Sequence, residues 1–375
     1  MIGDLRELLR TTALEAGFAR VGFCALDALS EHAARWRTWI DAGLHASMRY
    51  LERHGALRER PEQWFPGARS ALVVGAVYAP STSTSVAAYA QREDYHRVLA
   101  TRLDGVLDAV RARGHALTGV VAVDTKPVLE RALAERAGLG WIGKNTMLLD
   151  EEHGPWLMLG VLVLDAALEP DAPAKHRCGT CIRCLDACPT AAFVAPYVLD
   201  ARRCLSYWSI EHRGAWPDAM RVAFGTRVFG CDDCLTACPF GPPRTIQGEP
   251  ILALVPELQE LPALEVLRRC EQGFGRHFKH HAIARAGKAG LLRNAVTALG
   301  NGPDAPAARD ALRYYLDHTA AEVRAHSAWS LARIGEAHDT ARIEAAAARE
   351  ADPDTKADLQ RSLAVARTRR FGADS

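Results

Sequence analysis

Cys178-Gly-Thr-Cys181-Ile-Arg-Cys184-Leu-Asp-Ala-Cys188-Pro189 sets three cysteines at two-residue intervals, a fourth after three more residues, and a proline behind it. Three thiolates so spaced on a loop can wrap one iron-sulfur cubane, and in bacterial ferredoxins the fourth ligates a second cluster. Proline then fixes the direction in which the chain leaves. Farther along, Cys204 precedes Cys231-Asp-Asp-Cys234-Leu-Thr-Ala-Cys238-Pro239, which repeats the second half of that run with its first cysteine displaced. Pseudo-twofold logic predicts one [4Fe-4S] cluster on Cys178, Cys181, Cys184 and Cys238, and another on Cys188, Cys204, Cys231 and Cys234. Pairs of Cys-x2-Cys also build tetrahedral zinc sites, but a triplet followed by Cys-Pro in both halves fits zinc poorly. Cys24 and Cys270 are left over and read as buried apolar residues.

Two clusters in series form an electron wire, and the stretch ahead of them is long enough to hold a catalytic centre. The chain has 375 residues, 49% of them hydrophobic, with 46 Lys and Arg against 45 Asp and Glu. That near-balance excludes a protein that coats nucleic acid indiscriminately, so a nucleic-acid site must be a local patch. Ten cysteines without an N-terminal signal sequence point to ligation in a reducing cytoplasm, not to disulfides. No apolar run approaches the roughly 20 residues of a membrane span.

Up to about Leu168, β-branched runs alternate with helical patterns. The runs are Val21–Cys24, Ala71–Tyr78, Gly119–Val123 and Leu157–Leu164, with helices predicted over 94–113 and 127–137. The second helix opens with Asp124-Thr-Lys-Pro127, a cap-then-proline start. Past Pro250 the chain is Ala-rich and helical, and similar stretches open at Leu292-Arg293 and Val323-Arg324, about 31 residues apart, as in a short HEAT-type repeat. The expected fold is therefore α+β multidomain. An N-terminal α/β domain spans 1–168, a ferredoxin-like domain carrying both clusters spans 169–247, and a helical HEAT-like domain spans 248–375.

Several motifs together resemble the epoxyqueuosine reductases, over nearly the whole chain. They are Val123-Asp-Thr-Lys-Pro-Val-Leu-Glu-Arg131, Gly138-Leu-Gly-Trp-Ile-Gly-Lys-Asn145, the first cysteine run, Cys204-Leu-Ser-Tyr-Trp-Ser-Ile-Glu-His-Arg-Gly214 and Phe229-Gly-Cys-Asp-Asp-Cys234. The resemblance implies an N-terminal domain that binds corrin, cobalamin as the reactive cofactor fed by two [4Fe-4S] clusters, and reduction of epoxyqueuosine to queuosine in the tRNA anticodon loop. It also implies that Asp124 is the proton donor. On the residues alone Asp124 reads as a helix N-cap at a strand end. Donation near neutral pH would require burial to raise its pKa.

The same resemblance gives Lys144 and Asn145 a corrin-binding role beside a glycine-rich backbone, although the segment also reads as a plain turn. Ser206, Arg213 and Asp232 are further candidate cofactor contacts. His212 reads as a hydrogen-bonded structural histidine, and without an Asp-x-His-x-x-Gly the cobalt is expected to lack a histidine below it. From Gly275 to Arg293 no acidic residue occurs. Arg276, Lys279, Arg285, Lys288 and Arg293 form a candidate phosphate-facing stripe, or equally a solvated helix face.

A monomeric cytoplasmic enzyme follows, with tRNA and a low-potential electron donor as partners and no membrane attachment. The alternatives are a corrinoid reductive dehalogenase-like reductase, which usually carries an export signal, and a non-catalytic iron-sulfur electron-transfer protein, which would not need so large an N-terminal domain.

Overall fold

The computed structural model of the chain describes residues 2–81, 83–241 and 251–372. They divide into two compact units, each assembled from separate stretches. One unit takes 1–80, 92–202 and 232–255, and the other takes 81–91, 203–231 and 256–375. The expected boundary at 247 and 248 lies outside the described residues.

In the first unit, helix α1 (Ile2–Glu15) leads into strand β1 (Arg20–Ala25) and helix α2 (Ser30–Asp41). Strand β2 (Ser70–Val77), helix α3 (Tyr95–Ala112), strand β3 (Gly119–Ala122), helix α4 (Glu130–Arg136) and strand β4 (Leu157–Leu164) follow. The sheet order is β1-β2-β4-β3, and every pairing is antiparallel. All eight residues of β2 are buried, because helices cover both faces. Ala71, Val73, Val77, Val161 and Val163 meet Ala132 and Leu133 of α4 in one core. The alternate residues face the other way, where a Cβ at Gly160 would approach Leu103 and Leu99 of α3.

The strands and α3 occur where the period-2 and period-3.6 patterns put them. The helix expected from residue 127 instead starts at Glu130, with Leu129 at its N-cap. Asp124 stands at φ 51, in the left-handed region that few non-glycine residues occupy, and so is a loop residue and not a cap.

The second unit contains helix α5 (Leu205–Ile210), helix α6 (Asp218–Phe224) and a helical array. The array comprises α7 (Ala263–Phe278), α8 (Gly287–Asn301), α9 (Pro306–Tyr315), α10 (Ala321–Ile334), α11 (Asp339–Arg349) and α12 (Pro353–Gly372). Helix α8 packs on α10, and α10 on α12. The two sequence-similar stretches fall on α8 and α10. Both helices are buried around nearly their whole circumference, as the inner layer of stacked helical repeats must be.

Candidate functional site

The cysteine segment shows its duplication in the backbone. Arg183–Asp186 and Asp233–Thr236 form two single-turn helices that pack on each other. In the first, Ala187 N–H donates to Arg183 O at 3.0 Å and Cys188 N–H to Leu185 O at 3.3 Å. The second repeats this with Ala237 to Asp233 at 3.1 Å and Cys238 to Leu235 at 3.1 Å. Each half thus delivers a Cys-Pro at the end of a matching turn.

Cys178, Cys181, Cys184 and Cys238 converge on one cavity in the first unit. Its floor is apolar, with Trp141, Leu149 and Phe240 packed against Cys178 and Cys238, and Trp141 meets Phe240 edge-on at 4.8 Å. Burial and then the neighbouring thiols hold Cys184 above the ordinary thiol range; burial also raises Cys238, against backbone N–H groups that pull it down. A cationic metal centre takes such sulfurs as thiolates. The donor set therefore fits a four-cysteine cluster. Of the remaining four, Cys188 and Cys234 lie in the first unit, and Cys204 and Cys231 in the second.

Lys144 and Asn145 are part of this cradle. Lys144 Nζ donates to Gly179 O at 2.7 Å and Cys181 O at 2.9 Å. Buried Asn145 reaches Cys234 O at 3.3 Å through Nδ2 and accepts from Met147 N–H through Oδ1. They fasten cysteine-bearing loops to the hairpin of Trp141–Ile142 and Leu148–Leu149, and the donors expected to face a corrin are engaged there.

Asp124 follows β3 on an open face, with its side chain 62% exposed. Oδ2 accepts from Tyr95 Oη–H at 2.9 Å and from His96 Nε2 at 3.0 Å. The ring's other nitrogen lies 2.7 Å from Asp94 Oδ1, which also caps α3 by accepting the His96 N–H at 3.0 Å. Surrounding protein pushes the Asp124 carboxyl up, but the bonds from His96 and Tyr95 outweigh it, and its pKa lies below the ordinary value. The raised groups are its neighbours. Partial burial disfavours the His96 charge, yet the two carboxylates bring its pKa up to about 9. Burial and the Asp124 charge lift Glu130 to about 7. The raised pKa expected of Asp124 is thus displaced to His96 and Glu130.

Sequence reasoning missed Tyr95 and His96. Their one local signal is the Asp94-x-His96 spacing at a predicted helix start, which lets a capping carboxylate reach the ring.

In the second unit, Ser206 Oγ donates to Cys231 O at 3.4 Å. Arg213 donates to the carbonyls of Ile210, His212 and Arg285. Burial and the nearby Arg293 cation bring His212 down to about 4, and its Nε2 lies 3.3 Å from Ala215 O, in keeping with a structural histidine. Asp232, in the first unit, occupies the N-cap position of the turn Asp233–Thr236.

The basic stripe divides. Arg276 and Lys279 are exposed, and no ion pair among the described residues involves them. Arg285 makes a two-pronged pair with Glu211 at 2.8 and 3.0 Å, and Lys288 Nζ lies 3.6 Å from Glu271. Arg293 is fully buried and donates to Trp208, His212 and Gly214 carbonyls. It cannot face a phosphate and leaves the stripe.

Residues 177–241 match the family described as a 4Fe-4S double cluster binding domain, 58–125 the epoxyqueuosine reductase QueG family, and 281–364 HEAT repeats. The chain is 40% identical over 352 residues to the epoxyqueuosine reductase of Xanthomonas campestris, covering 88% of this chain and 97% of that one. It is 36% identical over 313 residues to that of Escherichia coli, covering 80% and 82%. A crystal structure of an epoxyqueuosine reductase with an epoxyqueuosine-modified tRNA-Tyr stem loop superposes with a TM-score of 0.89. That match is 28% identical and covers 98% of this chain and all of the other. A Bacillus subtilis epoxyqueuosine reductase, solved with its catalytic aspartate loop swung out of the active site, superposes at 0.87 and 27% identity, covering 97% of this chain and 100% of that one.

Proposed function

The chain belongs to the epoxyqueuosine reductase family, and we propose that it reduces the epoxide of epoxyqueuosine to the alkene of queuosine in the anticodon loop of tRNA, in the cytoplasm. The observation that carries this reading is the pairing of a four-cysteine cradle with an exposed, hydrogen-bonded Asp124 in the same unit.

When bound, two [4Fe-4S] clusters and cobalamin supply the low-potential electrons that reach the epoxide carbon. Cys178, Cys181, Cys184 and Cys238 hold one cluster, and on the spacing of the duplicated run Cys188, Cys204, Cys231 and Cys234 hold the other. Lys144 and Asn145 stiffen the loops that carry these ligands. For the corrin, the open face at Asp124 has the right character, since Oδ2 accepts both hydrogen bonds and no described residue donates to Oδ1. Ser206, Arg213 and Asp232 remain candidate contacts for it. Asp124 delivers a proton to the departing oxygen, which would otherwise leave as a poor alkoxide. Arg276 and Lys279, with Arg285 and Lys288 once freed from their partners, would meet the tRNA backbone.

The functional division along the chain is then 1–168 for the corrin, 169–247 for the clusters and 248–375 for the helical support. The protein acts as a monomer and takes electrons from a separate low-potential donor.

The test is anaerobic reconstitution with iron, sulfide and cobalamin, followed by mass analysis of tRNA nucleosides before and after reductant is added. Queuosine should appear only after reduction. Protein loaded with about eight irons and cobalamin that leaves epoxyqueuosine unchanged would overturn the reading. Asp124→Asn should keep its metal and cobalamin content and lose at least about a hundredfold in turnover.

A further inference from the structure

His96 stands behind Asp124 between two carboxylates, in the first turn of α3. Its Nδ1 lies 2.7 Å from Asp94 Oδ1 and its Nε2 3.0 Å from Asp124 Oδ2. Carboxylates only accept, so satisfying both contacts requires a hydrogen on each ring nitrogen, which is the imidazolium form. The ring is not free to turn away. Asp94 Oδ1 also accepts the His96 backbone N–H, so the helix cap and the ring orientation are one arrangement, and Tyr95 stacks on the ring at 4.0 Å while donating to the same Asp124 oxygen.

We propose that His96, aligned by Asp94, is the positioning residue that stores a proton behind Asp124 and passes it forward each time Asp124 protonates the epoxide oxygen. This inference rests on the proposed reaction. Turning an epoxide into an alkene and water consumes two electrons and two protons. The electrons come from a low-potential one-electron reductant, and His96 handles only protons. Its Nε2–H bond breaks with the electron pair left on the ring nitrogen, Asp124 gains one proton as it gives one to the epoxide oxygen, and solvent reprotonates His96 and supplies the second proton of the water released.

The charges around the pair suit this task. Arg131 and Glu130 act on Asp124 from α4 with opposite sign, and Arg97, beside Asp94, pairs with Glu93. At neutral pH the proton rests on His96, whose pKa is about 9, and Asp124 is ionised. A ligand laid over the open face would strip water from the Asp124 carboxylate and raise its proton affinity, which favours transfer along the 3.0 Å bond.

The first test is NMR titration of the imidazole carbons in the protein as isolated, with His96→Gln identifying the His96 signal among the 14 histidines. That signal should titrate near 9 in the native chain and fall toward the ordinary histidine value in Asp94→Asn. Titration near 6.5 in the native chain, or no change in Asp94→Asn, would overturn the proposal. The second test is the pH profile of single-turnover reduction with the reconstituted holoenzyme. The native rate should decline as pH rises through about 9, because His96 then loses its proton. His96→Gln should lower the rate about a hundredfold and abolish that decline, while iron and cobalamin contents stay unchanged. A native-like profile in His96→Gln sinks the proposal. Failure of the native protein to make queuosine at any pH would instead sink the functional reading, and the NMR titration would still decide the histidine.

Discussion

The guanidinium of Arg293 is buried, and no carboxylate among the described residues hydrogen-bonds to it. It donates to the carbonyls of Trp208, His212 and Gly214, contacts Asn294 Oδ1, and lies 4.7 Å from the centre of the Trp216 ring. Burial brings its pKa down to about 9, so it remains a cation at neutral pH, held by carbonyl dipoles and an aromatic face. Arg293→Met would strand three carbonyls and should cost about 3 kcal/mol; Arg293→Lys, lacking the planar fork, should recover less than half of that. Hydrogen exchange of the α8 amides is the direct measure, and native-like protection in Arg293→Met would contradict this role. A basic residue in an acid-free stretch looks like a phosphate ligand from sequence, because composition does not reveal which way a side chain points. Lys144 and Asn145 were hard to read for the same reason. Their partners, Gly179, Cys181 and Cys234, are far away in the chain, whereas the cysteines announce themselves by local spacing. His96 was invisible for lack of any local link to Asp124.

Among the elements, strands and inner helices were legible because burial stamps its period on the sequence, whereas the antiparallel pairing was not, since alternation carries no strand direction. The start of α4 was misplaced because Asp-Thr-Lys-Pro imitates a cap while the backbone is turned at Asp124. Helices α8 and α10 approach closely. A Cβ added at Gly300 would stand 2.3 Å from Ser330 Oγ and 2.7 Å from Ser330 Cα, and rotating the serine cannot relieve the backbone contact. Alanine in place of a helical glycine normally gains about 1 kcal/mol. Here overpacking, at about 1–3 kcal/mol, should prevail, so Gly300→Ala should be destabilising by up to about 2 kcal/mol in the α8 and α10 amide exchange, and Ser330→Gly in the same chain should restore part of the loss. A more protected Gly300→Ala would show that the helices can separate at little cost.

At the scale of the molecule, the first unit gathers three separated stretches, and Cys238 from the last returns to the loop of Cys178, Cys181 and Cys184 from the second. Cys238, from the second half of the duplicated run, lines the cavity of the first half's triplet, and on the proposed ligand sets Cys188 is lent the other way. Two ligand sets shared in this way make iron content a readout of assembly. Cys238→Ala should remove one complete cluster and lower bound iron from about eight to about four per chain, with no reduction of epoxyqueuosine once the wire is cut. Cys24→Ala is the internal comparison. Cys24 is fully buried in the sheet core, and burial pushes its thiol up to about 12, so its loss should leave the iron count at about eight. Equal iron in the Cys238 variant and the native chain would mean that another donor closes the first cluster. Equal losses from both variants would mean that iron reports general folding and not ligation, so the contrast between the two separates a ligand from a core cysteine.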